Sequence, residues 1–133
     1  MRSRSLALVL ALFCAACSDA TEVVDTEHVR VDGHLITLHQ LDAPSDAAAC
    51  ASERELGAQA RSRLQALVSG ARDVTFRKTG MACLQVMTCD GFVQADGADV
   101  GETLIAEGLA VRAAVPEAGD APHDWCAGPP VSE

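Results

Sequence analysis

His28 to Leu41, HVRVDGHLITLHQL, decides the fold. Two runs of β-branched and apolar residues flank Asp32-Gly33, and an Asp-Gly pair accepts the positive φ angles of a tight hairpin turn. The stretch predicts two antiparallel strands. Side chains alternate across a strand, so His34, Ile36 and Leu38 share one face while Leu35, Thr37 and His39 share the other. Apolar residues on both faces place the second strand centrally in a sheet or in a closed barrel. It then runs into Asp42-Ala43-Pro44, a carboxylate beside a rigid corner.

Downstream, Ser52 and Glu55 form a capping box. Leu56, Ala60, Leu64, Leu67 and Val68 line one face at helical spacing, and Gly70 ends the helix. Asp73 to Phe76 is a predicted strand. CLQVMTCDGFVQA (Cys83 to Ala95) reads as strand, turn, strand around Asp90-Gly91, and Asp96-Gly97 is a third hairpin signal. Asp99 and Glu102 cap a second, short helix with Val100, Leu104 and Ile105, closed by Gly108. Leu109 to Val115 adds a strand. From Pro116 the tail is rich in Pro, Gly and Asp, with Trp125 its expected buried anchor. This order lacks β-α-β alternation, so it predicts an α+β fold: an antiparallel sheet as a small five-stranded barrel with helices outside.

Upstream, Arg2 and Arg4 precede the apolar run Leu6 to Phe13, too short to span a bilayer and suited to an export signal. CAACS follows, similar to a bacterial lipoprotein cleavage box with Cys17 as the lipidated residue. A cut after Ala20 is the rival reading. The expected organisation is a leader over 1–17, a tether over 18–21, a domain over 22–115 and a tail over 116–133. The mature protein is then exported, periplasmic and membrane-anchored through the Cys17 lipid, or soluble if cut after Ala20. Removing a leader that holds two arginines and no acid takes the net charge from −9 to −11. Such a surface repels phosphate backbones and argues against tight nucleic-acid binding.

Cys50, Cys83, Cys89 and Cys126 remain beyond Cys17. An even count in an oxidising compartment favours two disulfides, and three pairings are open. Cys83 and Cys89 are close enough to staple a bend, in which case Cys50 and Cys126 tie the tail to the middle of the chain. A zinc site built on these cysteines and His123 is disfavoured, because the chain has no Cys-x-x-Cys pair. His28, His34 and His39 read as solvated or hydrogen-bonded side chains.

Several segments resemble, in order, the staphylococcal-nuclease-like family. VVDTEHVRVDGHLITLHQLDAP (Val23 to Pro44) is similar to its opening. ELGAQARSRLQALVSG (Glu55 to Gly70) is similar to its first helix, and ADGADVGETLIAEGLA (Ala95 to Ala110) to its D-G-x-D-V-G segment. The resemblance implies a five-stranded oligonucleotide-binding-type barrel and calcium-dependent phosphodiester hydrolysis. It places Asp42, the Ala43 carbonyl and Glu27 around calcium, with Glu27 standing where the family has a shorter aspartate. Where the family has arginine, glutamate and a second arginine, this chain has Thr37, Ser45 and Met81; Asp46 is the nearest substitute for the glutamate. The family's third helix is also missing from the pattern.

Phosphodiester cleavage builds negative charge that arginine forks stabilise, and losing one such donor costs about 10²–10³ in rate. Aromatic side chains on which bases could stack are sparse in the expected mature chain, limited to Phe76, Phe92 and Trp125. The expected function is therefore a degenerate, noncatalytic binding or structural module with no resident cofactor. The alternatives are a residual nuclease holding calcium weakly through Glu27 and Asp42, and an unrelated exported β-barrel.

Overall fold

The computed structural model describes residues 21–79 and 88–131. Cys17, Met81 and Cys83 lie outside them, as does the leader. The chain is α+β, with two helices and a mixed sheet. In order it forms β1 (Glu22–Val23), β2 (His28–Val31), β3 (His34–Leu38), β4 (Leu41–Asp42), α1 (Ala51–Ser69), β5 (Val74–Lys78), β6 (Thr88–Ala95), β7 (Ala98–Asp99), α2 (Val100–Ala106) and β8 (Val111–Arg112).

The β2–β3 hairpin forms as the sequence predicts. Asp32 and Gly33 take φ of 50° and 80°, and Val29 faces Ile36 across the ladder. Asp96-Gly97 turns β6 into β7 in the same way, with φ of 50° and 83°. Asp90-Gly91 does not turn the chain: it lies inside β6. A Cβ on Gly91 would sit 2.6 Å from the Arg77 carbonyl oxygen and 3.2 Å from Ile36 Cγ2. That glycine serves close strand packing.

The sheet order is β1-β2-β3-β6-β5, with β7 paired to β6. It is not wholly antiparallel as predicted. β3 and β6 run parallel, Leu35 facing Thr88 and Leu38 facing Gly91. The segment containing α1 and β5 separates them, which is the long crossover that parallel pairing requires. No ladder joins β1 or β2 to β5 among the described residues, so the sheet is open. β2 and β5 approach each other without pairing.

One face of the sheet supplies Val29, Val31, Ile36, Leu38, Cys89 and Val93 to the core, against Leu64 and Val68 of α1 and Val100 and Leu104 of α2. The buried stripe of α1 is Gly57, Ala60, Leu64 and Val68; Leu56 and Leu67 are half-buried. Gly57 is where the helix touches the loop after Pro44. A Cβ there would lie 2.3 Å from Ser45 C and Asp46 N. α1 also starts earlier than the Ser52–Glu55 box predicts. Cys50 is the N-cap without a side-chain bond, and Ser52 Oγ instead donates to the Cys126 carbonyl at 2.8 Å. The second box holds, Asp99 accepting from the Glu102 N–H at 2.8 Å. Beyond α2 the described chain forms β8, a 3-10 turn over Pro116–Ala118 and the tail.

Candidate functional site

Asp42 sits on β4, whose partner is β8: Asp42 faces Val111 and Leu41 faces Arg112. Ala43 and Pro44 behind it are buried. Glu27 reaches this corner because a tight turn aims it there. Asp25 Oδ1 accepts the N–H groups of Glu27 and His28, both at 2.8 Å, and the Glu27 carbonyl accepts the Leu38 N–H at 2.8 Å. Glu27 Oε1 then accepts the Ala43 N–H at 3.0 Å. Glu27, Asp42 and Ala43 are neighbours at this corner, but Glu27 meets the Ala43 amide and not the carbonyl expected as a ligand.

Both Asp42 oxygens receive N–H groups from the chain's own tail. Trp125 Nε1 donates to Oδ1 at 2.9 Å, and the His123 amide donates to Oδ2 at 3.4 Å. Trp125 is 4% exposed and meets the His123 ring edge-on, centroids 4.3 Å apart. A disulfide between Cys50 and Cys126 fixes this tail to the start of α1. Glu53, in the first turn of α1, accepts the Ser45 N–H through Oε1 at 3.1 Å. The Asp-Ala-Pro-Ser corner is thus held by Glu27, Glu53 and Trp125 together.

Burial raises the Glu27 pKa above the ordinary value. The Ala43 N–H lowers it, and the neighbouring Asp42 charge raises it further. The nearby His28 side chain lowers it as well, and the Asp25 charge raises it. Burial opposes ionisation of Asp25 too, but N–H donation by Glu27 and the His28 ring outweigh it, so Asp25 titrates below its usual range. A calcium site needs about six to eight oxygens with open lone pairs. Here three carboxylate oxygens each accept one N–H, the His123 contact being the longest at 3.4 Å.

The resemblance expects an arginine where this chain has Thr37. Thr37 lies between His28 on β2 and Asp90 on β6. Asp90 bonds the His39 ring and accepts from Thr79 Oγ1 at 2.9 Å. Arg61 pairs with Asp46 at 2.9 Å, the residue the resemblance offers in place of the glutamate, and Arg54 donates to the Ala48 and Ala49 carbonyls. Arg30, Arg63 and Arg112 pair with Glu22, Glu107 and Glu102, while Arg77 lies over the Phe92 ring at 4.5 Å. Met81 lies outside the described residues.

Sequence reasoning missed the partners of this corner. A buried indole N–H needs an acceptor, so Trp125 signalled that it would find one, but not which acid. Glu53 carried a weaker signal, its spacing of three from Cys50. A groove of about 850 Å³ lies elsewhere, bordered by Thr21, Asp32, Val68, Arg72 and Phe76. No described helix is long and apolar enough to cross a membrane. The chain matches no protein-family model and no curated protein.

Proposed function

We propose that this chain is an exported staphylococcal-nuclease-like domain whose cation corner serves as an internal joint, and that it acts as a noncatalytic binding or structural module. Asp42 carries the proposal: its carboxylate is spent on Trp125 and His123. Thr37 and Ser45 supply neither the guanidinium nor the carboxylate that phosphodiester hydrolysis needs. The finer fold we propose is an oligonucleotide-binding-type barrel left open between β2 and β5, built on β1, β2, β3, β6 and β5. The parallel β3–β6 ladder between antiparallel neighbours supports it. Export, with lipid attachment at Cys17, belongs to the same proposal, and the basic-apolar-cysteine order of the leader supports it. An exported chain also accords with the Cys50–Cys126 disulfide.

A residual calcium-dependent phosphodiesterase is the second reading, favoured by the proximity of Glu27 and Asp42. Incubating supercoiled plasmid with the purified protein, in calcium and in chelator, separates the two. The expected result is no calcium-dependent nicking above an Asp42→Ala control. Calcium-dependent nicking that vanishes in Asp42→Ala overturns the noncatalytic proposal.

A further inference from the structure

The edge of β5 that faces away from β6 has no partner strand among the described residues. Bonded pairs alternate along an antiparallel ladder. The Thr79 N–H donates to the Asp90 carbonyl and the Asp96 N–H to the Asp73 carbonyl, both at 2.8 Å. In the register between those two bonds, Thr75 and Arg77 also bond β6, and the N–H and C=O groups of Val74, Phe76 and Lys78 point the other way. β2 approaches that side without a ladder. A row of open backbone groups is a template for one more strand. The groove of about 850 Å³ borders the same strand, with Val74, Thr75 and Phe76 on it, Val68 of α1 beside them, and Thr21 and Asp32 across.

Charge singles out this edge independently. Among the described residues Arg30, Arg61, Arg63 and Arg112 pair with acids, and Arg54 donates to carbonyls. Arg72, Arg77 and Lys78 pair with no described acid. Lys78 Nζ lies 3.3 Å from His34 Nδ1, and Arg77 covers the Phe92 ring. In a chain of net charge −9, the cations that lack acid partners are gathered on β5 and just before it. They make a local field opposite in sign to the rest of the chain. Asp32 and Asp73 also border the groove, so an acidic ligand places its carboxylates at the Arg77–Lys78 end.

We propose that β5 is a docking edge for an extended acidic peptide of a partner protein, which adds to the sheet as a further strand. The backbone groups of Val74, Phe76 and Lys78 supply its main-chain hydrogen bonds, and alternate side chains supply specificity. One side of the added strand packs apolar residues on half-buried Val74 and Phe76. The other side sets carboxylates beside exposed Arg77. This names a ligand class within the binding-module reading, at a surface that does not include Asp42. Plasmid nicking tests that reading and peptide binding tests this one, so their failures are distinguishable.

Fluorescence anisotropy of a labelled octapeptide alternating valine with glutamate, titrated with the full chain, tests it. Saturable binding is expected, weakening as salt rises. The matching valine–lysine peptide binds at least about tenfold more weakly. Arg77→Glu with Lys78→Glu reverses that preference. Val74→Pro removes one edge-facing N–H and leaves the β6 ladder intact, as proline at the first residue of an edge strand does, and it weakens binding at least about fivefold. Val74→Ile keeps the N–H and keeps the binding. Circular dichroism checks that each variant is folded. No saturable binding of the glutamate peptide, equal binding of the two peptides, an unreversed preference in the double variant, or a folded Val74→Pro that binds as the wild type each overturns the proposal. A dimer that Val74→Pro dissociates makes a second copy the occupant and overturns it as well.

Discussion

Replacing Trp125 by Phe and Asp42 by Ala, singly and together, tests whether Asp42 is a tail anchor. The indole N–H meets the carboxylate at 2.9 Å, a charge-assisted geometry. Hydrogen bonds to charged groups contribute about 1.5–3 kcal/mol. Asp42 is only half-buried, so water replaces part of the lost bond, and we expect a coupling of about 1–2 kcal/mol. Trp125→Phe keeps most of the ring's packing and loses the donor. Asp42→Ala loses the acceptor together with the His123 amide bond, so it is the costlier single change. The double variant costs less than the sum by the coupling energy. For a domain of this size 1 kcal/mol moves the midpoint by about 4–8 °C. Far-UV circular dichroism in urea reads all four proteins without using Trp125 as the probe. Distant, independent sites add within about 0.3–0.5 kcal/mol. A cycle that closes within that margin refutes the anchor and returns Asp42 to a role outside the fold.

Three further outcomes follow from the same contacts. Cys50→Ser with Cys126→Ser opens a loop with a sequence separation of 76; by loop entropy this costs about 4.5 kcal/mol, and calorimetry that finds the midpoint unmoved contradicts it. Glu27 has its pKa raised, so the native state holds that proton more tightly, and stability is lost as pH rises past the unfolded value of 4.5. Glu27→Gln, which still accepts the Ala43 N–H, should therefore stabilise the protein at pH 7 and gain little at pH 4; urea midpoints showing the opposite order would count against it. Gly57→Ala gains about 1 kcal/mol of helix propensity but drives a Cβ to 2.3 Å from the Ser45 and Asp46 backbone, so a net loss of about 2 kcal/mol is expected and any net gain in a denaturant melt refutes the contact.

The sequence displayed those features whose signal is local. Asp32-Gly33 and Asp96-Gly97 announced their hairpins because positive φ is a property of the turn itself. The same dipeptide misled at Asp90-Gly91, where glycine answers the neighbouring Arg77 backbone, a partner no window of sequence contains. Ser52 was misread for a related reason, since its hydroxyl had a distant option in the Cys126 carbonyl and took it over the helix end. The parallel β3–β6 pairing was hidden because both strands carry ordinary alternation, and direction is set by the intervening crossover. Glu27 and Asp42 were visible as a pair only through resemblance. Trp125 as their neighbour was not, because 83 positions separate it from Asp42.

Two carboxylates brought near each other in a chain of net charge −9 pose one electrostatic problem. A divalent cation solves it, and so do N–H donors that bring partial positive charge without leaving the protein. Under the noncatalytic proposal this chain takes the second route, with Trp125 and His123 from the tail and the Ala43 amide from the corner. Donors from a tail are useful only while the tail is held, which gives the Cys50–Cys126 staple its place beside the corner. The exchange also bears on Thr37. Under the same proposal, a guanidinium at this position has no cation-bound phosphate to steady. On that proposal, Thr37 in place of an arginine and the docking of Trp125 belong together.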